Sequence, residues 1–212
     1  MKLLDQNRLL SEVAAYYSNK LAEHGESPRG VDWNGEDGQS LRFEQLCKIV
    51  TRHASFSIND LGCGYGALLG FIESQYSDVT YCGLDVSESM VAAARKRYAG
   101  RGGIRFTCAG EPDEVADVGV ASGIFNVRQG HSDAEWKAYI ETTLDCLDRT
   151  SRIGFSFNCL TAYSDKDKMR DYLYYADPGI WFDFCKRRYS RNVALLHDYG
   201  LYEFTILVRK QI

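Results

Sequence analysis

The segment Asp60-Leu61-Gly62-Cys63-Gly64-Tyr65-Gly66 carries the clearest chemical signal in the chain. A carboxylate is followed by three glycines at alternate positions. Glycines allow positive φ and let a ligand come close to the main chain. A second carboxylate, Asp85, stands nineteen residues after Gly66, about the span of one helix and one strand. A carboxylate at a strand end accepts hydrogen bonds from paired hydroxyls such as those of a ribose. The spacing points to a nucleoside-bearing ligand. A bare G-x-G is common in tight turns, so the flanking elements must decide.

Those elements alternate. Residues 56–61 form a short apolar run that ends in the glycines and reads as a buried strand. Helical patterns over 67–73, 87–98 and 132–149 are interleaved with strand patterns at 79–84, 104–108, 117–122 and 153–157. Ser87 caps one helix, and Ser132 with Glu135 makes a capping box for another. Such alternation predicts a parallel sheet with helices on both faces. Residues 193–197 and 204–209 read as two strands joined at Tyr199-Gly200, so the last strand runs antiparallel to its neighbour. Ahead of the sheet, Leu9, Leu10, Val13, Ala14, Tyr17 and Leu21 recur at helical steps and predict a helix over 7–24. Residues 25–38, with Pro28 and several glycines, read as a loop before a second helix that begins near Leu41. The fold class is α/β: a doubly wound, mostly parallel sheet of about seven strands with a reversed C-terminal strand and a helical N-terminal extension.

Ile58 to Gly66 resembles the nucleotide-binding signature of class I S-adenosylmethionine-dependent methyltransferases. Gly83-Leu84-Asp85-Val86-Ser87 resembles that family's second motif. The resemblance implies S-adenosylmethionine as cofactor and methyl transfer to an oxygen or nitrogen of a small soluble molecule. It implies that Asp60 faces the methionine part and that Gly62, Gly64 and Gly66 let the backbone pass beneath it. Asp85 would bind the ribose and Val86 would lie on the adenine. Glu111 takes the place of an acid that binds the adenine amino group, with Glu where Asp is more usual and Pro112 directly after it. Ser122 to Asn126 would line the sulfonium and the acceptor, and Arg42 would pair with the methionine carboxylate. The expected organisation is one domain: a helical cap over 1–54, a cofactor core over 55–160, an inserted helical and aromatic acceptor lid over 161–190, and a hairpin over 191–212.

Two rival readings share these residues. Gly62 to Ala67 also fits G-x-G-x-x-A, with an acid eighteen residues on, which suits a dinucleotide-dependent oxidoreductase. Against it, Asp60 would set a negative charge beside a pyrophosphate. The long helical lead-in and the reversed final hairpin also depart from the dinucleotide pattern. The other rival is a protein that binds the cofactor without transferring a methyl.

Methyl transfer from a sulfonium is an in-line displacement, and the protein must hold the acceptor atom behind the methyl. A base is required only for some acceptors. His131 is the candidate base, weighed against an exposed loop residue before a helix cap. Asn158, and with it Asn126, is a candidate for binding cofactor or acceptor, weighed against a strand-end role. Tyr163, Tyr172, Tyr174, Tyr175, Trp181, Phe182 and Phe184 give 161–190 a large contact surface, and Lys186-Arg187-Arg188 with Arg191 forms a basic cluster.

Bulk properties set the limits. The chain has 25 basic and 29 acidic residues, a formal charge of −4, which disfavours a nucleic-acid partner. Its seven cysteines form no C-x-x-C pair, so no metal site is expected. Met1 to Gln6 lacks a signal-peptide pattern, and no stretch has the length of a membrane span. A reduced, cytoplasmic protein that acts on a small-molecule acceptor is the expectation.

Overall fold

Short runs of apolar residues bounded by turns place five strands in the middle of the chain. They are β1 (Phe56–Leu61), β2 (Val79–Asp85), β3 (Ile104–Cys108), β4 (Ala116–Ala121) and β5 (Ser151–Leu160). All neighbours among them pair in parallel. The structure, a computed structural model, describes residues 3–33, 35–51 and 55–210. Two further strands, β6 (Asn192–Leu196) and β7 (Glu203–Arg209), close the sheet in the order β3-β2-β1-β4-β5-β7-β6. The last strand, β7, inserts between β5 and β6 and runs antiparallel to both. The reversed final strand expected from the sequence is therefore present.

The order of the first four strands fixes the ligand site. From β1 the chain steps outward through β2 to β3, then returns to place β4 on the other side of β1. Connections leave β1 and β4 in opposite directions, so a crevice opens above their carboxyl ends.

Among the described residues six α-helices cover the sheet: α1 (Leu3–His24), α2 (Glu36–Cys47), α3 (Ala67–Gln75), α4 (Glu88–Arg97), α5 (Asp133–Arg149) and α6 (Pro178–Arg188). Leu9 and Val13 of α1 pack on one face with Trp136 and Leu144 of α5 and Trp181 of α6. Phe43 and Leu46 of α2 pack on the other with Leu69 and Ile72 of α3 and Val91 of α4. Helix α1 starts at Leu3, four residues ahead of the expected start, and two other helix starts also differ from expectation. Helix α2 begins at Glu36, inside the anticipated loop, because Glu36 and Asp37 place negative charge on its first turn. Asp177-Pro178-Gly179, which reads as a turn, opens α6. There the Asp177 carboxylate accepts the Gly179 and Ile180 N–H groups, and Pro178 needs no partner in the first turn.

The boundary expected at residue 54 lies outside the described residues. Segment 161–190 folds back so that Leu173 bridges Val127, beyond β4, and Ala176 bridges Thr161, at the end of β5. Among the described residues no helix is long and apolar enough to cross a membrane.

The capping box at Ser132 is formed in full. The serine oxygen accepts the Glu135 N–H, and the Glu135 carboxylate accepts the Ser132 N–H. Ser132→Ala is expected to cost about 1 kcal/mol, a fall in Tm of about 2–4 °C by calorimetry, with ligand binding unchanged.

Candidate functional site

The turn that follows β1 is built on backbone conformations that only glycine adopts readily. Gly62 has φ 76° and Gly66 has φ 83°. A Cβ on Gly62 would lie 2.1 Å from Cγ2 of Ile124, so the turn after β1 meets the turn after β4 with no room for a side chain. The Gly62 and Cys63 N–H groups donate to the Leu84 carbonyl, which locks this turn to the end of β2. Asp85 completes the arrangement: its carboxylate accepts the Gly64 N–H at 2.9 Å and the Ser87 N–H at 2.8 Å. Burial pushes the Asp85 carboxyl above its usual range, and these N–H donors pull against the rise.

A cleft of about 1080 Å³, counting its open mouth, lies above these turns. The floor is Asp60 to Gly64 from β1, Asp85 and Val86 from β2, and Ser122 to Ile124 after β4. Ala109 to Glu111 form one end. Tyr139, Thr142, Thr143 and Cys146 of α5 contribute one wall. The cover comes from the N-terminal part of the chain: Leu10, Val13 and Tyr17 of α1, Val31 and Trp33, and Gln39 and Phe43 of α2. Every charged side chain among the described lining residues is acidic: Asp60, Asp85 and Glu111.

Asp60 is the most buried of the three. It is 1% exposed, and its Oδ2 accepts the Tyr81 hydroxyl at 2.5 Å. Its Oδ1 has no hydrogen-bond partner among the described residues, and neither has the buried Ser122 hydroxyl. Burial pushes the Asp60 carboxyl up to about 7; the Tyr81 hydroxyl opposes that rise and the charge of Asp85 adds to it. A buried carboxylate oxygen without a partner is costly, and a cationic ligand lowers that cost.

The structure distributes the expected site residues unevenly. Asp60, Gly62, Gly64, Asp85, Val86, Glu111 and Ser122 all line the cleft. Gly66 sits behind it, where a Cβ would press on the rings of Tyr98 and Phe106. Glu111 stands at the rim, exposed, and accepts from Arg149 at 2.9 Å. Arg42 is engaged elsewhere. Its Nε and Nη2 each lie 2.8 Å from a carboxylate oxygen of Glu203, and its guanidinium stacks 3.8 Å from the Trp33 ring centroid.

Two expectations about the chemistry change. His131 is not among the cleft-lining residues. Its Nε2 lies 2.8 Å from the Glu12 carboxylate of α1, and its ring stacks on Trp136, so it ties α1 to the body. Asn158 is fully buried and does not line the cleft either. Its Oδ1 accepts the Gly123 N–H at 2.7 Å, and its Nδ2 donates to Glu203 at 2.8 Å. Asn126 is likewise used within the fold, accepting the Leu160 N–H. The acceptor lid expected over 161–190 contributes no residue to the cleft lining; Tyr174 and Trp181 are core residues, and Tyr163 is exposed. Arg187 and Arg188 of the basic cluster pair with Asp183 and Asp145. The residues that sequence reasoning missed are those of α5 and Glu203. The periodicity of α5 places a helix without saying which turn meets a ligand. Glu203 does carry a signal, a charge at the start of an otherwise apolar strand.

Comparison with known proteins agrees with this geometry. Residues 59–151 match a family model described as a methyltransferase domain. A protein of Mycobacterium tuberculosis (strain ATCC 25618 / H37Rv), named "Putative methyltransferase Rv1506c", is 63% identical over 163 residues, covering 77% of this chain and 98% of the relative. The chain belongs to the class I S-adenosylmethionine-dependent methyltransferases. Solved structures carry the same fold at low identity. The DhpI-SAM-HEP complex superposes with a TM-score of 0.67 at 13% identity, covering 95% of this chain and 98% of that one. Human N-acetylserotonin methyltransferase in complex with SAM gives 0.58 at 16% identity, covering 84% of this chain; the chain spans 57% of that enzyme's length.

The site of this methyltransferase fits its cofactor on the chain's own terms. The orphaned Asp60 and Ser122 oxygens and the acidic lining suit a ligand that carries an ammonium, a sulfonium and a ribose.

The raised Asp60 carboxyl sets a pH dependence. The folded protein holds this proton up to about pH 7, whereas an unfolded Asp loses it near pH 4. The stability of the ligand-free wild type should therefore fall across that window and level off above it. Asp60→Asn removes the term. The variant is expected to gain stability over wild type from pH 5 to pH 8, by up to about 4 kcal/mol at the top, read as Tm at each pH.

Proposed function

We propose that this methyltransferase transfers the methyl group of S-adenosylmethionine to an oxygen or nitrogen of a small soluble molecule held in the cleft above β1 and β4. The observation that carries the reading is the acidic lining of a cleft at the sheet's switch point. A pyrophosphate would meet acidic side chains and no basic one among the described lining residues, whereas a sulfonium ligand meets compensating charge. This favours the methyltransferase reading over a dinucleotide oxidoreductase.

In this reading Asp85 accepts the ribose hydroxyls, its geometry preset by the Gly64 and Ser87 N–H groups. Val86 and Leu10 flank the adenine, with Gly110 leaving space between them, since a Cβ there would touch both side chains. Glu111 stands at that end as a rim acceptor. Asp60 and Ser122 take the methionine end, where each has an unused oxygen. Gly62 and Gly64 keep the floor low enough for the ligand. Arg42 is held by Glu203 and is not assigned to the cofactor.

When bound, the cofactor supplies a methyl already activated on sulfur, so the chain's task is positioning and water exclusion. Tyr139 is a buried phenol and Tyr17 a partly buried one in the cleft wall, and desolvation keeps both neutral. They offer hydroxyls that orient an acceptor rather than deprotonate it. The N-terminal cover and the net charge of −4 support a small acceptor over a nucleic acid. A cytoplasmic site of action accords with the thiol chemistry, because six of the seven cysteines are buried thiols.

Calorimetry with S-adenosylhomocysteine tests the reading. Wild type is expected to bind in the micromolar range, and Asp85→Asn to lose about tenfold or more, one charge-assisted hydrogen-bond set. Tight NADH binding with no S-adenosylhomocysteine binding would reverse the assignment. Incubation with a library of hydroxyl- and amine-bearing metabolites and labelled cofactor then separates transfer from mere binding.

A further inference from the structure

A closed ring of five residues stands beside the cleft, drawn from five parts of the chain. The Gly123 N–H donates to Asn158 Oδ1 at 2.7 Å. Asn158 Nδ2 donates to Glu203 Oε2 at 2.8 Å. Arg42 grips the Glu203 carboxylate with two nitrogens, each at 2.8 Å. The guanidinium of Arg42 stacks on Trp33. Trp33 returns to Gly123 so closely that a Cβ on that glycine would lie 2.4 Å from its Cζ2. Gly123 and Trp33 line the cleft; Asn158, Glu203 and Arg42 stand behind them.

We infer that Glu203 is a positioning residue for the cofactor cleft, which it shapes through Asn158 and Arg42 without touching the ligand. A side-chain amide has two nearly equivalent ends, and Asn158 must present its oxygen to Gly123. Glu203 enforces that choice, because a carboxylate accepts and cannot donate, so the amide nitrogen turns toward it and the oxygen faces Gly123. Gly123 has φ 74°, a turn that needs its N–H anchored. On the other side Glu203 neutralises Arg42 and fixes the flat guanidinium on which Trp33 rests. One carboxylate thus sets both the floor after β4 and the cover from the N-terminal cap. The Glu203 side chain is 1% exposed and Arg42's is 12% exposed, so water does not take over either contact.

The inference rests on the cleft being the cofactor site, and the experiment separates the two claims. Full-length wild type, Glu203→Gln and the double variant Arg42→Met with Glu203→Met are compared by three readings. These are S-adenosylhomocysteine calorimetry, the Gly123 amide signal in a ¹H–¹⁵N spectrum, and Tm. The amide introduced by Glu203→Gln offers both a donor and an acceptor and releases the constraint on Asn158. Affinity in that variant is expected to fall about tenfold, with the Gly123 amide moving upfield. The double variant replaces a buried ion pair by apolar chains, which restores stability without orienting Asn158. It is expected to melt near wild type and still bind about tenfold weaker. A purely structural role predicts the opposite, affinity that recovers with Tm. A folded variant with wild-type affinity and an unmoved Gly123 signal overturns the inference while leaving the cofactor reading intact. If Glu203→Gln does not fold, the double variant decides alone. Wild type that binds no S-adenosylhomocysteine overturns the cofactor reading and this inference with it.

Discussion

A carboxylate removed from water must find its charge and hydrogen bonds inside the protein or destabilise it by several kcal/mol. Glu203 meets this requirement by reaching Arg42 on α2 and Asn158 on β5 at once. Through those two contacts the constraint spreads. The cap cannot move without uncovering Arg42, and the turn after β4 cannot relax without releasing Asn158. The two sides of the cleft are thereby held relative to each other by one buried group. Asp60 faces the same problem on the floor with fewer partners: among the described residues, the Tyr81 hydroxyl alone, on one oxygen. The contrast is chemically sensible. The compensated acid holds the frame, and the under-compensated one lines the cleft.

The rest of the architecture serves to bring these acids together. The sheet order places the ends of β1 and β4 side by side, and the glycines let their two turns touch. Helix α1 then spans the opening, fastened at one point by Glu12 to His131 and along its length by Leu9 and Val13 in the core. Family, fold and floor of the cleft thus agree.

Much of this is readable from the residues. Period-two and period-3.6 patterns locate the strands and most helices, because each buries one face against the same core. Asp60, the glycines and Asp85 stand out because their roles depend on local spacing within a single strand–turn–helix unit. What cannot be read depends on contacts across long separations. Arg42 reads as a ligand-binding cation, but Glu203, 161 residues away, claims it. His131 reads as a base, but Glu12, 119 residues away, engages it. The aromatic segment 161–190 reads as a lid because aromatic content does not distinguish a surface that waits for a ligand from one that packs on the sheet. The α2 start is hidden for a local reason: glycines at 35 and 38 mask the acidic first turn.

The placement of β7 between β5 and β6 carries a consequence for the order in which the molecule is made. As the chain leaves the ribosome, the strands that form the cleft floor emerge first, and they can pair among themselves. The free edge of β5 stays open until the residues of β7 arrive, because β6 lies beyond that gap. Glu203 begins that strand, so the brace between cap and floor is one of the final contacts to close. A nascent chain therefore owns its glycine turns well before it owns a rigid pocket.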